Sequence, residues 1–352
     1  MSKSYKVSVI IPIYNAEKYI GQCLLSLLTQ DLDDVEYVLI DDGGRRSTME
    51  VVRKVVSAST RSADVFIYQH SMGENRGVSA SRNLGIERSN GHYLYFVDSD
   101  DICPPHALST LYASAEAHDL DAVVGSYQLN DTIGGRLESR LLRPLLNLQA
   151  SPYENMLHYR YGGSAEPWLG LNCWNCLLRR SILLINHLSF QPLSRGEDMI
   201  FIHQTMPYLR RFALLSDITY VYHYRPLSLS NFNGEVTVSE IKNLVDKNII
   251  MGKLCASFTD TRYGQQALGE WVKYVMWDIL TLARKRHSLR AALPVDYMSL
   301  LYIHPLKLQA ILRLKRHRML NLAFYLLQYV PSRLRYQLID LANFMLKKRY
   351  AR

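Results

Sequence analysis

Four short stretches concentrate side chains able to do chemistry. Asp98-Ser99-Asp100-Asp101 gathers three carboxylates. Like charges this close repel and require a cation or hydrogen-bond donors. A hard divalent ion is commonly held by one or two carboxylates together with substrate phosphates. On a continuing strand Asp98 and Asp100 would face the same side; the same residues also read as a solvated acidic turn closed by Pro104-Pro105. Asp41-Asp42-Gly43-Gly44 places an acceptor-only group before two glycines that let backbone approach a flat ligand. Its plainer reading is a turn in which Asp caps the next helix. Gly196-Glu197-Asp198 opens an apolar helix. The helix dipole keeps a carboxylate there ionised, either as an ordinary acidic first turn or as a general base. Tyr222-His223-Tyr224-Arg225, followed by Ser228 and Ser230, offers a cation pair able to grip a diphosphate. Taken alone, a histidine in a half-buried strand is an ordinary core or surface residue. Cys173-x-x-Cys176 has no partner pair at zinc spacing and no thioredoxin-like context.

The acidic stretches need elements to hold them. KVSVIIPI (6–13), EYVLIDD (36–42), VFIYQH (65–70) and HYLYFVDSDD (92–101) are apolar, β-branched or aromatic runs that read as strands. AEKYIGQCLLSLLT (16–29), TMEVVRKVV (48–56) and GVSASRNLGIERS (77–89) lie between them with helical spacing. Such alternation predicts an α/β fold with βαβ units and a mostly parallel sheet, a Rossmann-like nucleotide-binding half. Ligands in such sheets bind beyond the carboxyl ends of the strands, where two of the acidic clusters fall. Residues 130–165 read as loop-rich, 177–185 and 197–209 as helices, and 217–225 as a strand. Beyond about residue 238 the pattern is helical, with candidate helices at 238–258, 263–285, 296–301, 305–328 and 331–349.

The chain has 352 residues and a net charge of +9, with an ordinary globular composition of 48% hydrophobic and 21% charged residues. No run approaches the roughly 18 apolar residues of a membrane span, and the N-terminal residues run straight into a strand without a signal-peptide pattern. Five sparse cysteines suit a reducing compartment, so a cytoplasmic location is expected. Residues 301–352 hold 11 Lys/Arg and one acid, whereas the remaining 300 residues carry 30 basic and 31 acidic side chains. The excess charge is therefore local to the final helices. It reads either as an amphipathic surface for anionic lipid, at the inner face of the plasma membrane, or as a solvated face of a helical bundle.

The order VSVIIPIYN, DDGG, GVSASRNLGI, YFVDSDD, GED resembles the family 2 inverting glycosyltransferases of GT-A fold, of the bacterial polysaccharide type, over about residues 5–230. The resemblance implies a catalytic domain over 1–235 and an appended helical basic region over 236–352. It implies that Pro12, Tyr14 and Asn15 form the first nucleotide-contacting loop and that Asp42 reads the nucleoside base, most often uracil. Arg82 then stands between base and diphosphate, Asp98 with Ser99 lies beside the ribose, and Asp100 and His223 hold Mn²⁺ or Mg²⁺. Asp198 is implied as the catalytic base, with Glu197 and Trp174 toward the acceptor. The expected donor is a nucleoside-diphosphate sugar, most often a UDP-sugar. The expected acceptor is a glycan or a polyprenyl-diphosphate-linked glycan, and no nucleic acid is expected. The chain departs from the family in having Gly44-Arg45-Arg46-Ser47 after the aspartates, and Cys176 where many members carry lysine.

Two other readings fit less well. A sugar nucleotidyltransferase would place a Gly-rich, Arg-containing loop after the first strand, where PIYNAEKYIG stands. A basic nucleic-acid binder would present a recognition motif, and strand-end acids would repel phosphates. A catalytically silent subunit is disfavoured by the full set of acids.

Overall fold

The computed structural model describes residues 3–149, 151, 155–161, 172–225, 237–257 and parts of 266–338. The chain forms two compact units, one of Met1–Arg160 and Ser164–Phe232, the other of Tyr161–Gly163 and Asn233–Arg352. The first unit is built on a nine-stranded sheet. Its strands are β1 Val7–Ile13, β2 Val35–Asp41, β3 Val65–Gln69, β4 Tyr93–Phe96, β5 Ala122–Asp131, β6 Arg136–Arg140, β7 Leu145–Asn147, β8 Cys176–Arg179 and β9 Phe212–Tyr224. Their order is β3-β2-β1-β4-β8-β5-β9-β7, with β6 beside β5. The strands β3, β2, β1, β4, β5 and β9 point one way, while β6, β7 and β8 run against them.

The expected parallel half is present, and burial explains it. β1 and β2 are covered on both faces, so nearly every position is apolar. Apart from Asp41 at the carboxyl end of β2, Ser8 and Glu36 are the exceptions. The Ser8 hydroxyl donates to Glu36 Oε1 at 2.5 Å and the N–H of Gly91 donates to the same oxygen at 3.1 Å, so this buried carboxylate is satisfied at the amino end of the sheet, away from the acidic stretches. Pro12 costs no ladder bond. The Ile10 carbonyl accepts from Val97 N–H at the end of the β1–β4 pairing, and two residues on, Pro12 lies beyond it.

The helices of the first unit are α1 Ile20–Leu28, α2 Arg46–Ser57, α3 Gly77–Arg88, α4 Ala107–Ala117, α5 Met156–Tyr161, α6 Arg180–Ile185 and α7 Glu197–Thr205. In α1 the buried side chains Ile20, Cys23, Leu24, Leu27 and Leu28 repeat at helical spacing. Helix α3 packs tightly on β1, since a Cβ at Gly85 would come within 2.3 Å of Ile10 Cγ2.

Three expectations are corrected. The described residues of the loop-rich stretch expected at 130–165 hold more regular structure than that: the end of β5, then β6, β7 and the helix Met156–Tyr161. Residues 176–179 form a strand inserted antiparallel between β4 and β5, and only Arg180–Ile185 is helical. The strand carrying the acids stops at Phe96, and Asp98 to Asp101 form a turn closed by Asp101 N–H donating to the Asp98 carbonyl at 3.1 Å. Strand alternation therefore does not set the directions of Asp98 and Asp100. Elsewhere, β9 begins at Phe212, earlier than the expected 217, and α7 ends at Thr205, before Pro207.

In the second unit, α8 Val238–Ser257 buries Ile241, Leu244, Val245, Met251 and Cys255. The run expected at 305–328 holds two helices, Leu308–Leu312 and Arg318–Leu327, with a turn after the first. Asn321 is buried and its side-chain amide donates to the Gly269 carbonyl at 3.0 Å. The expected helix 296–301, most of 263–285 and most of 331–349 lie outside the described residues. Among the described residues no helix is long and apolar enough to cross a membrane.

Candidate active site

The carboxyl ends of β1, β2 and β4 carry the donor-side loops. Asp42 follows β2 and is only 3% exposed. Arg76 N–H donates to its Oδ1 at 2.7 Å and Gly77 N–H to its Oδ2 at 3.0 Å. The carboxylate thus caps the positive end of α3, with His70 Nε2 3.5 Å away. Its second lone pairs are what remain for a ligand. Gly43 has φ +71°, and a Cβ there would lie 2.4 Å from the Gly73 carbonyl, so the DDGG turn has no space for a side chain. Asn15 has φ +48°, and its Oδ1 accepts Arg45 N–H at 2.8 Å, tying the β1 loop to the β2 loop. Tyr14 is exposed beside it. The two arginines that depart from the family pattern have structural partners: Arg45 pairs with Glu17 at 2.5 Å, and Arg46 with Glu50 at 3.3 Å on the exposed face of α2.

Arg82, one and a half turns into α3, joins two acidic stretches. Its Nη2 lies 2.7 Å from Asp98 Oδ1 and its Nη1 2.7 Å from Glu197 Oε1. The guanidinium is buried and its Cζ stands 5.3 Å from the centre of the Phe190 ring. A buried arginine fork holding two carboxylates offsets charge that would otherwise be prohibitively desolvated. Asp198 is the next residue along α7, and Met199 N–H donates to its Oδ1 at 2.7 Å. Burial first, and then the neighbouring Glu197 charge, push the Asp198 carboxyl up to about 7. Asp42, Arg82, Asp98, Glu197 and Asp198 are therefore linked through α3: its first turn caps on Asp42 and its second holds the other acids together.

The Asp98–Asp101 turn is pinned from the other side by β9. Ile102 and Val221 exchange backbone hydrogen bonds. Tyr220 donates its hydroxyl to Asp101 Oδ2 at 2.8 Å and accepts Asp98 N–H at 3.2 Å; His223 N–H donates to Asp101 Oδ1 at 2.8 Å. Burial raises the Asp101 carboxyl to about 7. Asp101 is the fully buried member of the turn, while Ser99 and Asp100 are half-buried. Asp100 Oδ2 lies 2.7 Å from Arg225 Nη1, whose Cζ stands 3.9 Å from the centre of the Tyr19 ring. Burial, and then the charge of Asp98, raise the Asp100 carboxyl.

Asp101, Tyr220 and Tyr19 were not among the expected site residues. Asp101 had its position in the acidic run as a signal. Tyr19 and Tyr220 lay within apolar patterns that mark core. Trp174 is 8% exposed, stacked on Tyr220 (ring centres 4.7 Å, 18° between planes) and on Tyr222 (5.3 Å, 9°). The indole is thus the inner wall behind the acidic turn. Asn175 is also internal, donating to the Gly125 and Ser126 carbonyls at 2.6 and 3.0 Å. Cys173 and Cys176 are buried, and burial pushes both thiols up, Cys176 to about 12, which makes them unreactive.

Among the described residues no three His, Cys, Asp or Glu side chains are gathered as a closed ion cage. Asp98 and Asp100 nevertheless fit an ion that shares its shell with a diphosphate. Each contacts its arginine through one oxygen, Oδ1 of Asp98 and Oδ2 of Asp100, which leaves the other oxygen for a hard cation. The His223 ring sits beside this turn, with its buried Nδ1 3.7 Å from Asp101 Oδ1 and without a hydrogen-bond partner.

A model described as "Glycosyl transferase family 2" matches residues 8–183. The putative glycosyltransferase EpsH of Bacillus subtilis is 30% identical over 224 residues, which are 62% of this chain and 60% of EpsH; the chain thus spans less than two thirds of that relative. Among solved structures, S. aureus TarS 1-349 in complex with UDP-GlcNAc matches with a TM-score of 0.65 at 19% identity, over 92% of this chain and 90% of TarS 1-349. The mannosyltransferase PcManGT of Pyrobaculum calidifontis in complex with GDP-Man and Mn²⁺ matches with a TM-score of 0.50 at 14% identity, over 93% and 88%. At these identities the likeness is one of fold, the GT-A type expected from the sequence.

Proposed function

The chain belongs to glycosyltransferase family 2, and from that premise we propose that it transfers a sugar from a nucleoside-diphosphate sugar to an acceptor hydroxyl with inversion. The observation that carries this reading is the Arg82 fork, which brings Asp98 of the donor side and Glu197, neighbour of Asp198, onto one guanidinium. Residues 1–235 are proposed as the catalytic part and 236–352 as its helical appendage.

In this reading Pro12, Tyr14 and Asn15 line the nucleotide, Asp42 accepts a base N–H through its remaining lone pairs, and Asp98 and Ser99 lie beside the ribose. Asp100, with Asp98 and the His223 ring, would hold Mn²⁺ or Mg²⁺. When bound, the ion supplies charge neutralisation on the leaving diphosphate. Asp198 takes the proton from the attacking hydroxyl through a carboxylate oxygen. Its raised pKa makes it a stronger base than an ordinary aspartate while leaving it largely ionised above pH 7. Glu197 keeps its neighbour's pKa high and faces the acceptor side. Trp174 acts there by backing the wall rather than by presenting an open face. Base and leaving group on opposite sides of the sugar give an in-line displacement and hence inversion.

The UDP-GlcNAc of TarS and the GDP-Man with Mn²⁺ of PcManGT support a nucleotide-sugar donor and a divalent ion. A uracil nucleotide is the preferred donor. A glycan or polyprenyl-diphosphate-linked glycan of the cell surface is the preferred acceptor class. The outward side of Arg318–Leu327 supports work at an anionic membrane surface on the inner face of the plasma membrane: Met319 and Leu326 on it are exposed, as is Tyr329 just beyond the helix, while Asn321 and Phe324 turn inward. Full-length protein should float with anionic but not neutral vesicles, and no flotation on either removes the membrane from the reading.

Hydrolysis of a panel of nucleotide sugars, with and without Mn²⁺, tests base, sugar and ion together. Asp198→Asn should keep donor binding by calorimetry and lose about 10²–10⁴-fold in transfer. Near-normal turnover would remove Asp198 from the role of base, and full activity in EDTA would remove the ion.

A further inference from the structure

Arg225 lies at the end of β9, directly after the strand that pins the acidic turn. Its Nη1 is 2.7 Å from Asp100 Oδ2, and its side chain is 12% exposed. The plane carrying its charge rests against Tyr19, with Cζ 3.9 Å from the ring centre. Asp100 is therefore already neutralised by a cation of the chain's own. This contact is distinct from the Arg82 fork, which engages Asp98 and Glu197 and not Asp100.

A guanidinium at this distance occupies one oxygen of Asp100 and sets a positive charge where a divalent ion would find its carboxylate. Two cations a few ångströms apart repel unless further negative charge arrives with them. We propose that Arg225 is an internal cation that competes with the divalent ion for Asp100, so that the ion binds weakly alone and tightly only together with a nucleoside diphosphate. The proposal rests on the reading of Asp100 as an ion ligand. Tyr19 makes the exchange inexpensive. Arg225 has a cation–π platform beside Asp100, so the guanidinium can part from the carboxylate without returning to bulk water. The released fork remains at the donor side, where a diphosphate presents two or more oxygens to it. The device favours arginine over lysine because the planar group both stacks and forks. Its consequence is positive coupling between ion and nucleotide, equal in both directions by linkage.

The test is the affinity of the full chain for Mn²⁺, read from the free-ion paramagnetic resonance signal, with and without UDP. The wild type should bind Mn²⁺ weakly alone and much more tightly with UDP. In Arg225→Met the affinity for Mn²⁺ alone should rise roughly two- to fivefold, the scale of one partly buried ion pair, and the tightening by UDP should shrink. Unchanged or weakened Mn²⁺ binding in Arg225→Met overturns the proposal. Asp100→Asn separates the two layers. If it still binds Mn²⁺ as the wild type does, the ion reading itself fails; if it loses Mn²⁺ while Arg225→Met leaves the affinity unchanged, only the competition fails. Should Arg225→Met not fold by circular dichroism, a further charge-removing variant, Arg225→Gln, takes its place; Arg225→Lys does not serve, because lysine keeps the charge. With the cation gone Mn²⁺ alone should bind several-fold more tightly, and no change would again refute the competition.

Discussion

Glu197→Gln probes the coupling at the heart of the site with one exchanged atom. Glu197 and Asp198 are adjacent at the start of α7, and burial ahead of the Glu197 charge raises Asp198 to about 7. Removing that charge deletes the second cause and leaves the first. Two carboxylates about 6 Å apart interact by roughly 3 kcal/mol at an effective dielectric of about 20, or about two pKa units. Arg82 already offsets part of the Glu197 charge at 2.7 Å, so a downward shift of about one unit in Asp198 is expected. The sign follows from the role. A base works when deprotonated, so transfer by the wild type should fall as pH drops through about 7, and in Glu197→Gln that acid limb should move to lower pH. The assay is the pH dependence of kcat/KM with saturating donor. The amide keeps the length of the side chain and an oxygen for Arg82, so circular dichroism and donor affinity should stay near wild type. An acid limb that stays within a few tenths of a unit of the wild type would refute Asp198 as the titrating base.

Two further substitutions test how the site is held. Arg82→Met leaves Asp98 and Glu197 facing one another without their shared cation; a loss of about 3–5 kcal/mol in urea unfolding is expected, and a loss below 1 kcal/mol would mean that the fork carries little. Gly43→Ala puts a Cβ 2.4 Å from the Gly73 carbonyl at φ +71°. It should cost about 1–3 kcal/mol and weaken donor binding more than it alters kcat, and unchanged donor affinity would detach the DDGG turn from the nucleotide.

The legibility of this chain divides by distance along it. β1, β2 and β4 could be read because strands covered on both faces leave no polar alternation, and α1 because its apolar positions repeat at 3.6. β8 could not, because Cys-Leu-Leu-Arg is too short for periodicity to tell a strand from a helix. Only its antiparallel fit between β4 and β5 makes it a strand. β6 and β7 were missed for a related reason: they are short strands at the margin of the sheet, and pairing rather than pattern defines them. The acidic run at 98–101 was visible as a cluster. The division of labour within it, with Asp98 to Arg82, Asp100 to Arg225 and Asp101 to Tyr220 and His223, was not.

Residue types and their order settled the family, the parallel half of the sheet and the location of acids at strand ends, because burial and local backbone preference act over a few residues at a time. Partner choice among those acids came only with the folded chain. Arg82 meets Glu197 across 115 residues and Arg225 meets Asp100 across 125, and a charge desolvated at such a junction is satisfied by whatever the packing of α3, α7 and β9 brings within about 3 Å. No spacing rule encodes that distance, since it is set by how the layers close over the carboxyl edge of the sheet.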